Sequence, residues 1–116
     1  MASRQGAEEF LRDFIMKLSI WGIVYRDERS KNAQALLDLE ITPAQRTEVI
    51  KNLTVTEYSE GPKKEKLYGG ADMWIFGRRI KGHEVYIKVT MGIEGRQVIC
   101  ISFHVAEHHL EYPFKN

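Results

Sequence analysis

Apolar residues recur at Phe10, Leu11, Phe14, Ile15 and Leu18. That i, i+3/i+4 spacing predicts an amphipathic helix over residues 7–18, with its aromatic stripe as core. Glu8 and Glu9 in the first turn suit the helix dipole, and residues 1–6 are expected to fray. Residues 19–26 carry Ile20, Trp21, Ile23, Val24 and Tyr25, which fits a short strand or an extended connection. Ser30 is a fair cap for a helix over 31–39 that turns Ala33, Leu36, Leu37 and Leu39 inward. Thr42-Pro43-Ala44-Gln45 is the clearest local signal. Thr42 can accept from the orphan amides of the next helix, Pro43 suits its first position, and Gln45 can close a capping box. That helix should run to about Asn52 and bury Val49, Ile50 and Leu53. Thr54-Val55-Thr56-Glu57 repeats the capping pattern and can open one more turn.

The period then changes from 3.6 to 2. Gly61-Pro62 predicts a turn, and Lys63, Lys64 and Lys66 make residues 59–66 a basic loop. Residues 67–80 are strand-like but interrupted by Gly69, Gly70 and Gly77, with Met73 and Ile75 alternating against Trp74 and Phe76. Residues 84–91 alternate strictly: Val85, Ile87, Val89 and Met91 point one way, and Glu84, Tyr86, Lys88 and Thr90 the other. A Gly-containing turn over 92–96 leads to a returning strand, 97–104. Its alternation groups Ile99, Ile101 and Phe103 against Val98, Cys100, Ser102 and His104. The expected fold class is α+β, with N-terminal helices packed on one face of a small antiparallel sheet. That sheet is a three-stranded meander to which residues 19–26 could add a strand. In the tail, Tyr112 and Phe114 are placed to cover a sheet edge.

A chain of 116 residues with 43% apolar content supports one globular domain spanning 1–116. The formal charge of +1 points to no partner class by itself. Its distribution says more: between 61 and 90, Lys63, Lys64, Lys66, Arg78, Arg79, Lys81 and Lys88 face only Glu65, Asp72 and Glu84. That excess suits a phosphate-bearing ligand, and it equally suits solvated edge lysines. With Cys100 alone, no disulfide forms within the chain. No apolar run approaches the ~20 residues of a membrane span. No signal-peptide pattern opens the sequence, so a cytoplasmic setting is expected.

The four histidines, His83, His104, His108 and His109, form no metal-binding motif, and neither a metal nor another cofactor is expected. There is no phosphate-cradling Gly-rich loop with its Lys-Ser/Thr, and no nucleophile elbow. Metal-free RNA cleavage asks for less. The ribose 2′-OH must lose a proton, the leaving 5′-oxygen must gain one, and the pentacoordinate phosphate must be stabilised. Tyr86, Lys88 and His104 on one sheet face supply those residue types. Lys63, Lys64, Arg78 and Arg79 are candidate backbone contacts, and Trp74 is a candidate base-stacking ring. Taken singly, each has an ordinary structural reading: Tyr86 as a half-buried strand aromatic, His104 as a strand-end residue, Trp74 as core.

The order of these segments resembles the MqsR-type toxins of bacterial toxin–antitoxin pairs, mRNA interferases with a RelE-like fold. The resemblance spans roughly residues 7–104. It is carried by the capped helix ending Asn52-Leu53 before Tyr58, by Trp74, by Gly82-x-x-Val85-Tyr86-Ile87-Lys88-Val89-Thr90 and by 98–103. It implies a type II toxin that cleaves mRNA and inhibits translation, and a cognate antitoxin protein as partner. Tyr86 falls on the family's functional tyrosine. His104 stands where the family has a functional lysine. The glutamine beside the strand tryptophan corresponds to Ile75 or to a gap, and the loop lysine aligns near Glu60, just before Lys63 and Lys64. The alternative reading is a catalytically degenerate RNA- or protein-binding module on the same fold.

Overall fold

The computed structural model describes residues 1–64, 66 and 70–116, and it has an α+β architecture in which helices precede a five-stranded sheet. Helix α1 runs Arg4–Trp21, longer at both ends than the apolar spacing predicts. Ser3 Oγ accepts from the Gly6 amide at 3.0 Å, so the start is capped rather than frayed. The Ala2 amide is held by the Gly61 carbonyl at 3.0 Å. Ala7, Leu11, Phe14 and Leu18 form the buried stripe. The helix stops at Gly22, whose φ of +87° turns the chain into β1, Ile23–Tyr25.

Helix α2, Ser30–Asp38, begins one residue earlier than expected, so Ser30 is its first residue and not its cap. It buries Asn32, Ala35 and Leu39, whereas Leu37 is 72% exposed and Ala33 faces solvent. Leu39 is inward as the spacing predicts and Leu36 is half-buried, but Ala33 and Leu37 are not, because the buried stripe starts with the polar Asn32. Helix α3, Pro43–Lys51, carries the full capping box between Thr42 and Gln45. A single 3₁₀ turn, Val55–Glu57, uses the second box, Thr54 with Glu57.

Strand β2, Tyr58–Lys63, occupies the region expected to be a turn and basic loop. A proline is tolerated there because β2 is an edge strand, in the order β1-β5-β4-β3-β2. Gly61 has φ +130°, and a Cβ at that position would lie 3.0 Å from the Trp74 backbone. Strands β3 (Met73–Ile80), β4 (His83–Thr90) and β5 (Val98–Val105) form the antiparallel meander. The strand expectation for 67–69 lies outside the described residues. Strand β1 pairs with β5 in parallel, so the sheet is mixed and not purely antiparallel.

Pairing of β4 with β5 shifts by one residue between Lys88 and Val89, which leaves Ile101 as an unpaired bulge. The bulge reverses the alternation on its N-terminal side. Val98 and Cys100 therefore join Phe103, Val85, Ile87 and Val89 in the core, and Ile99 pairs with Thr90. The predicted grouping of Ile99 and Ile101 with Phe103 does not survive that slip. Trp74 and Phe76 of β3 face the same core, and Phe10 stacks on Trp74 at 4.3 Å. Among the described residues no helix is long and apolar enough to cross a membrane.

Candidate functional site

The sheet face turned away from α1 is built from the other alternation. Tyr86 pairs with His104, Lys88 with Ser102 and Gly77 with Tyr86, so their positions share that face. Its middle opens into a depression of about 690 Å³ that includes Tyr86, Lys88, Ser102 and His104. The Tyr86 and His104 rings stack there with centroids 5.3 Å apart and planes 17° from parallel. Lys88 Nζ lies 6.0 Å from the Tyr86 ring centre. The three residues singled out for chemistry are thus neighbours.

His104 Nδ1 is 2.9 Å from the Val105 carbonyl oxygen. A carbonyl only accepts, so Nδ1 carries a proton and the neutral ring has its lone pair on Nε2. Burial pushes the Tyr86 phenol above its ordinary value, and the Glu60 carboxylate adds to this against Lys63 and Arg29. The phenol therefore stays protonated near neutral pH and serves as a donor.

The helix side of the depression is supplied by α2. Arg29, Ser30, Lys31 and Asn32 line it. Asn32 fixes them: its side-chain amide donates to the Ile101 carbonyl at 2.8 Å, and its oxygen accepts from the Phe103 amide at 3.0 Å. One side chain thus continues the β5 ladder beyond β1 and clamps both neighbours of Ser102. Sequence reasoning passed over Arg29, Lys31 and Asn32. The available signal was an asparagine on the Asn32, Ala35, Leu39 stripe, because a polar residue in a buried row needs built partners.

The remaining candidates are scattered. Lys63 pairs with Glu60 at 2.8 Å, which raises the lysine's pKa. Lys64 is exposed beyond the end of β2. Arg79 shares the Tyr86 face but lies near its other end, in a second hollow with Tyr112. Arg78 is on the core side, bound to Glu57 at 2.7 Å and to the Asn52 carbonyl at 2.7 Å. Trp74 is also on the core side, under Phe10. Neither Trp74 nor Arg78 is brought to Tyr86.

The tail covers part of the same face. Tyr112 Oη donates to Glu84 at 2.7 Å, and Leu110 is buried beside Gly77. Glu107, His108, His109 and Leu110 rim the depression without filling it. Lys31 is paired with Glu107 at 2.7 Å, so the rim is mixed in charge. Among the described residues no group of three or more His, Cys, Asp or Glu side chains is arranged to hold a metal ion. No protein-family model matches the chain, nor does any curated protein or solved structure.

Proposed function

We propose that this chain is a metal-independent mRNA endoribonuclease, the toxin of a type II toxin–antitoxin pair, as its segment order suggests. The observation that carries the reading is the stacked Tyr86–His104 pair beside Lys88 in an open depression. In the proposed reaction His104 Nε2 takes the proton of a ribose 2′-OH. The 2′-oxygen bonds to phosphorus, the bond from phosphorus to the 5′-oxygen breaks, and the 5′-oxygen takes a proton from solvent water as it leaves, while the His104 imidazolium returns its own proton to solvent. The products are a 2′,3′-cyclic phosphate and a 5′-hydroxyl. Tyr86 donates to a phosphate oxygen, and Lys88 offsets the charge of the pentacoordinate species. Lys63 and Lys64 would steer the strand. Cytoplasmic mRNA is the substrate, and a cognate antitoxin protein restrains the activity.

The test is incubation of purified protein with an oligoribonucleotide in EDTA. Cleavage is expected, reduced about 100-fold by His104→Ala or Tyr86→Phe and abolished when the substrate's 2′-hydroxyls are removed. Intact RNA at high protein concentration would defeat the proposal.

A second reading, an RNA- or protein-binding module without activity, is favoured by one fact: Trp74 and Arg78 are committed to structural contacts. It predicts RNA binding that persists in His104→Ala, with no cleaved product from either protein.

A further inference from the structure

The tail divides one sheet face into two hollows. His109 and Leu110 line both, so the second hollow, about 590 Å³, begins where the Tyr86 depression ends. Its floor is β3 and β4 two residues further along, where Arg79 pairs with Glu84 as Gly77 pairs with Tyr86. That offset is about 7 Å along the strands, the reach of a single nucleotide. Register sets Glu84 across from Arg79, the position for a cross-strand ion pair. The tail takes that carboxylate instead. Tyr112 Oη donates to it at 2.7 Å, the Leu110 amide donates at 3.3 Å, and His109 Nδ1 lies 3.6 Å away. Burial, and after it the bond to Glu84, push the Tyr112 phenol up, so that bond persists through neutral pH. Glu57 is likewise occupied, held by Arg78 at 2.7 and 3.0 Å. Arg79 is exposed and forms no ion pair with a described residue. Among the described lining residues, Glu111 is then the one uncommitted carboxylate against Arg79 and Lys115.

We propose that the second hollow is the adjoining nucleotide subsite, in which Arg79 holds the phosphodiester next along the RNA strand from the one at Tyr86 and His104. The strand crosses the tail at His109 and Leu110. The inference rests on the nuclease reading for the identity of its ligand, and on the Arg79, Glu84 and Tyr112 arrangement for its place. A guanidinium presents paired donors that match two oxygens of one phosphate, and Lys115 adds charge from the tail side. Tyr112 is a positioning residue here: by engaging Glu84 it keeps the carboxylate from Arg79. The tail is thus a wall of the site, and the substrate is a strand of at least three nucleotides.

The experiment uses the whole protein labelled with nitrogen-15 and two uncleavable oligodeoxynucleotides, a dinucleotide with one phosphodiester and a trinucleotide with two. The trinucleotide should bind about tenfold more tightly and should shift the Arg79 and Tyr112 amides. Arg79→Ala should remove that gain while leaving dinucleotide binding within twofold, and Arg79→Lys should recover part of it. Arg12→Ala, a change of equal charge on an exposed turn of α1, should leave both probes within twofold. Failure of both probes to bind, equal affinity for the two, or a gain that survives Arg79→Ala would overturn the subsite. A gain lost in Arg79→Ala, with RNA left uncut by the parent protein, would keep the subsite and remove the nuclease. RNA cut by the parent protein, with a gain indifferent to Arg79→Ala, would do the reverse.

Discussion

Gly77 shows how much one missing side chain can decide. A Cβ there would sit 2.6 Å from Leu110 Cδ1 and would also collide with the Tyr112 hydroxyl. The tail can cross this end of the sheet only because β3 offers bare backbone at that point. Gly77→Ala should therefore lift Leu110 and Tyr112 off the sheet, breaking the Tyr112–Glu84 hydrogen bond and costing about 1–3 kcal/mol. Thermal unfolding measures the loss, and faster proteolysis at the tail shows where it arises. A variant with unchanged stability and tail protection would contradict the contact. At this scale the sequence was partly legible. Alternation alone put Tyr86, Lys88 and His104 on one face. It could not show that Trp74 and Arg78 belong to the other, because each residue type suits RNA and core packing alike and only pairing with β4 decides the side.

Elements were legible where a local interaction sets them. The Thr42 box is complete within four residues, so it could be read before any tertiary contact was known. Thr42→Ala should cost about 1 kcal/mol by chemical unfolding, and Thr42→Asp should restore most of it; equal losses in both variants would show that the cap is not what the residue provides. Strand β2 was hidden because Gly61-Pro62 is a turn signal in isolation and an edge-strand feature in context. The β5 bulge was hidden because no residue in 98–105 advertises an extra position. The α2–β5 junction was hidden for a different reason: its glue is a side chain standing in for a strand. Asn32→Leu keeps the bulk but removes every hydrogen bond made by the amide. The Phe103 amide would then be left unsatisfied, and the Ile101 carbonyl would keep only its longer bond from Arg29 at 3.4 Å, at about 2 kcal/mol in total. Hydrogen exchange at Phe103 should accelerate before that of the β3–β4 hairpin. Identical exchange in the variant would show that β5 holds its edge without Asn32.

For the whole molecule, the groups that most constrain the working pH are a buried thiol and the partly buried phenols. Burial raises the Cys100 thiol from 9.0 to about 12 and the Tyr25 phenol from 10.0 to about 12, and it raises Tyr112 as well, with Glu84 adding to the effect. Each folded-state value lies above its unfolded one. The folded protein therefore holds these protons more tightly, and the associated stability is fully present below about pH 9. It is lost as pH climbs from there toward about 12, since unfolding then releases protons that the folded state retains. Each such group contributes at most about 1.4 kcal/mol per pH unit to the decline. Denaturant unfolding between pH 8 and 11 should thus show a flat region followed by a fall. Cys100→Ala tests the assignment by slope and not by height. The cavity it leaves lowers stability at every pH, yet its alkaline fall should be shallower than that of the parent protein by up to one proton per molecule. Parallel curves would mean that the thiol does not titrate differently on folding, and would place the alkaline limit on the phenols of Tyr25, Tyr86 and Tyr112.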